Sequence, residues 1–168
     1  MSRAFVKEDD LEHAGIDIPE RPISSAANYV TPFGYIELEK KIIELESMRL
    51  SYIDSVDVNL IQKKMRVERD LRYFASRLNS AILIDPDKQP KDTILFSAKV
   101  DVLTESEENL TFEIVGEDES DIQKNKISYT SPLAKSLIGQ RTNEEVIWKK
   151  PSGDTILLVT KIYYESNK

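Results

Sequence analysis

A four-three repeat of apolar residues along residues 60–81 constrains the fold of this chain more than any other feature of its sequence. Helical side chains three and four positions apart share one face, so such a repeat predicts a helix with an apolar seam. A shorter stripe of the same kind, Leu38, Ile42 and Leu45, precedes it. The two stripes predict two helices packed side by side as a coiled coil. The longer seam consists of Leu60, Lys64, Val67, Leu71, Phe74, Leu78 and Ala81, with Lys64 as its one polar member.

Local signals mark where the helical pair begins and where it reverses. Thr31 followed by Pro32 predicts a helix start, because Thr caps free backbone N–H groups and Pro is tolerated at the first helical position. The only weakly helical stretch between the two seams is residues 54–59, so the reversal is expected there. Helices of about 22 and 25 residues would make an arm roughly 33 to 37 Å long. An antiparallel hairpin of this kind has too little core to be globular, so we expect a projecting arm.

Beyond residue 93 the apolar period changes from helical to alternating. Alternation over a short run predicts a strand with one buried face. Ser131 and Pro132 predict the start of a short helix, and Gly139 predicts its end. We therefore expect a small antiparallel sheet with one short helix. The predicted strands are residues 94–102, 110–114, 145–149 and 155–164, the last two joined by a turn at Ser152 and Gly153.

The sequence thus predicts an α+β protein, with an N-terminal antiparallel coiled-coil hairpin followed by a C-terminal antiparallel β-sheet domain. The first 30 residues show no sustained period and contain Pro19 and Pro22, which predicts a flexible tail. The alternative is that this tail packs on the body in extended form. The predicted divisions are a tail at 1–30, the hairpin at 31–84, a linker at 85–92 and the C-terminal domain at 93–168.

Composition excludes several classes of function. A net charge of -7 argues against a general nucleic-acid binder, since such proteins are usually basic. The absence of cysteine excludes a disulfide framework, a thiol nucleophile and a thiolate metal site. A single histidine, His13, argues against a Ser-His-Asp triad or a histidine-rich zinc site. No apolar run approaches membrane-spanning length or a signal core, so a reducing cytoplasm is the simplest compartment.

Charge is unevenly distributed along the chain. Residues 60–82 carry six Lys or Arg against two acidic residues, a net charge of +4. Residues 104–121 carry eight acidic residues and no basic ones, a net charge of -8. This segregation predicts a protein that meets surfaces of different charge.

Several motifs resemble those of bacterial Gre-type transcript cleavage and elongation factors, and the resemblance covers residues 31–164. Its C-terminal half is the more specific. Ile127-Ser-Tyr-Thr-Ser-Pro-Leu-Ala134 is similar to the family's Ile-Ser-x-x-Ser-Pro-hydrophobic-Ala motif. The other matches are the acidic strand exit Phe112–Glu119, Leu137–Gly139, Pro151–Asp154, and Phe33-Gly-Tyr35 with Leu38 in the opening helix.

The resemblance implies an N-terminal antiparallel coiled coil joined to a C-terminal domain of FKBP-like fold. It also implies a partner, because Gre factors bind bacterial RNA polymerase, with the C-terminal domain at the rim of the secondary channel and the coiled coil inside it. Two acidic residues at the coiled-coil tip help to hold a second Mg²⁺ in the polymerase active site, which promotes hydrolysis of backtracked RNA. This chain would then hold no stable cofactor of its own, contact the RNA 3′ end indirectly, and act as a monomer without a membrane partner.

Asp54 and Asp57 are the residues that match the acidic tip, and their spacing of three is consistent with both lying on one side of the reversal. The residues around them differ from the Leu-Lys-Glu-Asn-Ala-Glu-Tyr-like tip of cleavage-competent members. The arm is also about one heptad per helix shorter than the arm of cleavage-competent members, a difference of roughly 10 Å. Asp54 and Asp57 are therefore candidate ligands of a Mg²⁺ shared with the polymerase. The alternative is ordinary turn chemistry, in which Asp accepts nearby backbone N–H groups.

Basic residues of the second helix are candidates for contact with RNA or with acidic surfaces inside the channel. Arg66 and Arg69 are the leading candidates because they lie off the apolar seam, and Arg72 and Arg77 accompany them. The alternative is a solvated helix face with intrahelical ion pairs.

The resemblance also implies that Ser131, Pro132 and Leu133, together with Asp118 in the acidic loop, dock at the polymerase rim. Helix initiation alone is the alternative explanation for Ser131 and Pro132.

Three functional hypotheses follow. The first is an accessory factor, not an enzyme, that binds RNA polymerase through the secondary channel, regulates elongation and promotes cleavage by the polymerase itself. The second is a non-catalytic occupant of the channel that inhibits or competes with cleavage factors. The third is a coiled-coil interaction module unrelated to transcription, which failure to co-purify with RNA polymerase would favour.

Overall fold

The structure, a computed structural model, describes residues 18–53 and 57–165. These residues form two compact units. The helical unit comprises residues 18–24, 41–53 and 57–76, and the sheet unit comprises residues 25–40 and 77–165. Each unit is therefore assembled from more than one stretch of the chain.

Two long helices occupy the N-terminal half, as the apolar repeats predict. Helix α1 spans Pro32–Ser51 and helix α2 spans Val58–Asn79. The Thr31 hydroxyl accepts a hydrogen bond from the Gly34 N–H at 2.9 Å, and so caps the start of α1. The Asp57 carboxylate accepts one from the Asn59 N–H at 2.7 Å at the start of α2. Each helix thus begins where a side-chain oxygen satisfies an otherwise free backbone donor.

Apolar side chains of the predicted seam form the core of the helical unit. Leu45, Val67 and Leu71 are buried there. Ile42, Tyr52 and Phe74 pack against them and are partly exposed. The two helices therefore pack through the seam that the sequence predicts, and the coiled-coil geometry of the pair stays a prediction.

The sheet unit contains one sheet of five strands and one of two. The five-stranded sheet has the order β5-β4-β3-β7-β6, and the two-stranded sheet joins β1 to β2. In chain order the strands are β1 (Tyr29–Val30), β2 (Ile82–Leu83), β3 (Lys99–Thr104), β4 (Asn109–Val115), β5 (Lys126–Ser128), β6 (Glu145–Trp148) and β7 (Thr155–Tyr163).

The larger sheet is mixed, so the prediction of a purely antiparallel sheet was wrong. Strand β5 pairs with β4 in parallel, with Ile127 opposite Ile114, whereas the other pairings are antiparallel. Alternation reports which face of a strand is buried and carries no information about strand direction. The loop of residues 116–125, which includes a 3₁₀ turn at Ile122–Lys124, returns the chain so that β5 runs in the same direction as β4.

Strand β3 begins later than the alternation predicts. Ile94, Phe96 and Ala98 are buried as expected, but they precede the strand. Ser97 has a φ of 68°, in the left-handed region that extended chain does not use. The backbone therefore turns at Ser97, and regular pairing starts only at Lys99.

The core of the sheet unit lies between the sheet and the short helix α3, Pro132–Leu137. Leu133, Ala134 and Leu137 are the buried residues of this helix. Gly139 follows the helix with a φ of 92°, which a residue with a side chain rarely adopts, so the predicted stop is confirmed. From the strands and the chain before β3, the core receives Ile94, Ala98, Val100, Val102, Phe112, Ile114, Val146, Leu157 and Val159, and Tyr164 joins it from just after β7.

Part of the segment predicted to be a tail is in regular structure. Tyr29 and Val30 form β1 and pair with Ile82 and Leu83 of β2. The boundary of the predicted tail at residue 30 therefore differs from the structure, because β2 follows α2 closely and offers these residues a backbone partner. The predicted linker contains a 3₁₀ turn at Pro86–Lys88, capped by Asp85. The other domain boundaries stay predictions.

Replacing Leu157 tests whether the sheet face that the structure buries supports the fold. Leu157 is fully buried, so Leu157→Ala should lower the free energy of unfolding by about 2–5 kcal/mol. Its neighbour Ile156 is 38% exposed, and Ile156→Ala should cost less than about 1 kcal/mol. Urea denaturation of both variants measures the difference, and equal losses would contradict the assignment of the buried face.

Candidate functional site

The predicted acidic tip is only partly visible. Asp54 lies outside the described residues. Asp57 is described, and its Oδ1 accepts the Asn59 N–H at 2.7 Å while its backbone carbonyl accepts the Ile61 N–H at 2.9 Å. The carboxylate of Asp57 thus caps α2, which is the turn chemistry that the sequence offers as the alternative to metal binding.

The arginines of α2 differ in their surroundings. Arg66 is exposed. Arg69 is partly buried and donates from Nε and Nη2 to Oδ1 of Asp70, at 3.1 and 2.9 Å. Arg72 is exposed and donates from Nε to Oε1 of Glu20 at 3.0 Å. Of the two leading candidates, Arg66 is accessible and Arg69 is already engaged by a neighbouring carboxylate.

The ion pair between Arg72 and Glu20 changes the pKa of both partners. The hydrogen bond from Arg72 lowers the pKa of the Glu20 carboxyl, and the same bond raises the pKa of Arg72. Both side chains are more than half exposed, so this pair contributes little to stability. The pair is of interest because it engages Arg72, one of the basic residues of α2 that the sequence offers as a candidate for RNA contact.

The sequence offered Arg77 as a candidate for contact with RNA or polymerase, but its side chain is buried in the sheet unit and is not accessible. Its side chain is 2% exposed. Nε donates to Oδ2 of Asp118 at 2.5 Å, and Nη2 donates to Oε2 of Glu117 at 3.1 Å. The backbone carbonyl of Arg77 accepts from Nδ2 of Asn28 at 2.6 Å. We call Arg77, Glu117 and Asp118 the arginine clamp.

The clamp determines where Asp118, one of the docking candidates, lies. Its side chain is 14% exposed and its carboxylate binds Arg77. Docking through Asp118 stays a prediction, and any such contact would have to share a carboxylate that already serves an ion pair within the chain.

Glu119, next to the clamp, is also held from within the chain. Its Oε2 accepts from the Thr31 hydroxyl at 2.6 Å, and its Oε1 accepts from Nζ of Lys126 at 2.9 Å. A Cβ on Gly34 would lie 2.6 Å from Oε2 of Glu119, so glycine leaves the space for this approach. Nζ of Lys126 also lies 3.9 Å from Oε2 of Glu113. Burial raises the pKa of the Glu113 carboxyl, and the positive charge of Lys126 opposes this shift only in part.

The three docking candidates at the start of α3 have different roles. Ser131 Oγ accepts the Ala134 N–H at 3.2 Å, and Pro132 follows in the first turn. These two residues start the helix as predicted. Leu133 is 6% exposed and belongs to the core. Its burial leaves Pro132 and nearby apolar residues as the accessible part of this region.

An apolar depression with a volume of about 450 Å³ lies beside the start of α3. The rings of Phe112 and Trp148 meet edge to face in its lining, with centroids 5.9 Å apart. Ile122, also in the lining, is 87% exposed. Pro132 and Lys126 also line the depression. An exposed isoleucine beside aromatic rings is the kind of feature that protein partners cover.

Sequence reasoning missed both the clamp and the depression. The clamp joins residues 40 and 41 positions apart, and helical periodicity reports only the face on which an arginine lies. The one available signal for the clamp was the acidic run at residues 104–121, which contains no Lys or Arg. The depression gave no signal, because Ile122 belongs to no helical or alternating pattern.

Within residues 18–53 and 57–165, no three His, Cys, Asp or Glu residues are grouped so that they could hold a metal ion. No helix in the same residues has the length and apolar character needed to cross a membrane.

Removing the cation of the arginine clamp should destabilise the sheet unit strongly. Arg77→Met leaves two carboxylates without their partner, and we expect a loss of about 3–5 kcal/mol in the free energy of unfolding. The matched control Arg66→Met removes an exposed arginine from the same helix and should change stability by about 0.5 kcal/mol or less. Denaturant unfolding measures both.

A triple variant separates charge from packing in the clamp. Arg77→Met combined with Glu117→Gln and Asp118→Asn removes all three charges, and it should recover at least half of the loss. If the triple variant is as unstable as Arg77→Met alone, the loss comes from packing and the electrostatic account of the clamp is wrong.

Comparison with known proteins identifies the family. Residues 89–164 match the family model described as transcription elongation factor, GreA/GreB, C-term. Transcription elongation factor GreB of Neisseria meningitidis serogroup B is 30% identical over 153 residues, which cover 82% of this chain and 94% of that protein. Transcription elongation factor GreA of Novosphingobium aromaticivorans is 39% identical over 103 residues, 61% of this chain and 65% of that protein.

Solved structures of the same group are also similar. GreA factor homolog 1 of Thermus thermophilus has a TM-score of 0.40 and 22% identity, covering 82% of this chain and 99% of its own. The GreA/GreB elongation factor from Nitrosomonas europaea has a TM-score of 0.42 and 21% identity, covering 83% and 100%. The likeness to GreB along 94% of its length decides membership: the chain belongs to the GreA/GreB family of transcription elongation factors.

Proposed function

We propose that this chain binds bacterial RNA polymerase at the rim of the secondary channel and regulates transcription elongation. The observation that carries the proposal is its likeness to a protein named transcription elongation factor GreB along nearly the whole of that protein. The chain acts as an accessory factor and has no active site of its own, so any RNA hydrolysis belongs to the polymerase.

Each unit has a role in this proposal. The helical pair is an antiparallel coiled coil that enters the channel, a reading supported by the buried seam of Leu45, Val67 and Leu71. Arg66, exposed on α2, faces RNA or acidic polymerase surfaces in the channel. The sheet unit is FKBP-like and docks at the rim through Pro132 and the apolar depression beside it.

A Mg²⁺ shared with the polymerase fits the tip residues only in part. Asp57 Oδ1 accepts the Asn59 N–H, so a bound ion would share this carboxylate with the cap of α2. A carboxylate oxygen is a suitable ligand for this hard cation. Within residues 18–53 and 57–165 no group of three His, Cys, Asp or Glu residues could hold a metal ion, so the polymerase would supply most of the ligands. When bound, the ion would activate water for hydrolysis of the RNA.

The non-catalytic alternative has an observation of its own. Asp57 already has a structural role as the cap of α2, which accounts for an aspartate at this position without any metal. Under this alternative the chain occupies the channel and competes with cleavage factors.

Charge introduced at the apolar depression should weaken binding to RNA polymerase. Ile122 is 87% exposed, so Ile122→Glu should fold normally, yet it places a carboxylate at the proposed contact. We expect the dissociation constant for core polymerase to rise at least tenfold, about 1.4 kcal/mol. Fluorescence anisotropy with labelled protein measures the constant.

Ile147→Glu is the matched control for that experiment. Ile147 is 56% exposed and lies on strand β6, and it does not line the depression. This variant should bind polymerase within twofold of the unmodified chain. Equal affinities for both variants and the unmodified chain would remove the depression from the docking surface, while absence of binding by all three would refute the proposed function.

Asp57→Asn separates a metal ligand from a helix cap. Asparagine caps helices about as well as aspartate, so the free energy of unfolding should change by less than about 0.5 kcal/mol. If Asp57 is a ligand of Mg²⁺, the rate at which backtracked RNA is cleaved should fall at least tenfold in this variant, because a neutral amide is a poor ligand for Mg²⁺. Gel analysis of RNA length over time measures this rate.

The outcome with the unmodified chain distinguishes the two candidate functions. Cleavage that Asp57→Asn leaves unchanged would contradict the ligand role. No cleavage above that of polymerase alone, with competition against a cleavage-competent factor, would favour the non-catalytic alternative.

A further inference from the structure

Residues 18–24 belong to the helical unit, and two of them, Glu20 and Arg21, contact α2. Arg72 donates from both Nε and Nη2 to the same oxygen of Glu20, the first of these at 3.0 Å. Arg21, the next residue, lies with Nη1 3.7 Å from Oδ1 of Asp70. Two consecutive residues of opposite charge thus meet two residues of α2 with the complementary charges.

The same segment also covers aromatic surface. The guanidinium carbon of Arg21 lies 3.7 Å from the centroid of the Tyr73 ring and 5.0 Å from that of Phe74. The shorter distance is that of a cation stacked on a ring face. Arg21 is therefore held by a carboxylate on one side and by an aromatic ring on another, which fixes its place on α2.

The covered groups suit one chemical class of ligand. A guanidinium binds phosphate through parallel hydrogen bonds, and a neighbouring aromatic ring stacks a base. Arg72 and Tyr73, consecutive residues of α2, carry these two groups, and the neighbours Glu20 and Arg21 contact them. Glu20 places an anion where a phosphate would bind, and Arg21 places a flat group where a base would stack. The side chains of Glu20 and Arg21 thus occupy the positions that the phosphate and the base of a nucleotide would take.

We propose that residues 18–24 form an autoinhibitory strap that competes with single-stranded RNA for Arg72 and Tyr73 of α2. RNA as the competitor rests on the proposed function, whereas the docking of the strap does not. An exposed ion pair and one stacked cation are individually weak, so the strap leaves readily. Its attachment to the same chain keeps its effective concentration high, which lowers the apparent affinity of any competitor.

The first measurement asks whether the strap is seated in solution. The protein is labelled with 3-fluorotyrosine, and Tyr73→Phe assigns the Tyr73 resonance. Arg21→Gln should shift that resonance and leave the others in place, because it removes the cation stacked on the ring. An unshifted Tyr73 resonance would overturn the strap.

The second measurement asks what the strap excludes. A fluorescent oligouridine of twelve nucleotides is titrated with the full chain at physiological salt. Glu20→Gln with Arg21→Gln keeps the net charge constant and opens the strap, and it should bind at least threefold more tightly. Adding Arg72→Gln to that variant should abolish the gain.

Lys41→Gln with Glu44→Gln is the matched control. It removes another exposed ion pair of the helical unit, in which Nζ of Lys41 lies 2.9 Å from Oε2 of Glu44, and it leaves the net charge unchanged. Its affinity for the oligonucleotide should equal that of the unmodified chain. An equal gain in the control, or no gain on opening the strap, would overturn the proposal.

Polymerase binding distinguishes failure of this proposal from failure of the proposed function. If opening the strap tightens binding to polymerase but not to the oligonucleotide, the competitor is an acidic protein surface and the RNA assignment is wrong. If no variant binds polymerase, the proposed function fails, while the resonance and oligonucleotide measurements still decide on the strap.

Discussion

Burial of the Arg77 guanidinium is the interaction on which the arrangement of the acidic loop depends. A charged side chain that is 2% exposed is stable only when oppositely charged groups hydrogen-bond to it. Glu117 and Asp118 supply those groups from 40 and 41 residues further along the chain. The chain that leaves β4 must therefore approach Arg77, and its carboxylates serve this ion pair before they can serve a partner.

Neutralisation of the acidic run changes which surfaces are candidates for function. Glu119 is bound by Thr31 and Lys126, so three consecutive carboxylates are engaged within the sheet unit. The net charge of residues 104–121 therefore overstates the negative surface that they present. The apolar depression with Ile122, and Arg66 on α2, remain accessible. Under the proposed function, the sheet unit would recognise the polymerase through apolar contact and the helical unit through exposed cations.

Local chemistry in the sequence was a good guide to local structure. Both long helices and α3 begin at side chains that cap them, Thr31, Asp57 and Ser131. The sequence predicted the first and last of these caps, and it offered the cap at Asp57 as the alternative to metal binding. Alternation located the buried faces of the sheet. The parallel pairing of β5 and the turn at Ser97 were not predictable in this way, because strand direction and a single positive φ leave no periodic signal. The burial of Arg77 and the seating of residues 18–24 depend on partners 40 to 52 residues away, which no local pattern reports.

Site-specific photocrosslinking tests most directly whether the helical pair enters the polymerase. A benzoylphenylalanine is placed at position 66 of α2, where the native arginine is exposed. The protein is then irradiated with backtracked elongation complexes, and the crosslinked peptides and RNA are mapped. The account predicts crosslinks to residues that line the secondary channel or to the RNA 3′ end. Crosslinks confined to the outer surface of the polymerase, at an efficiency equal to that of a site on strand β6, would contradict it.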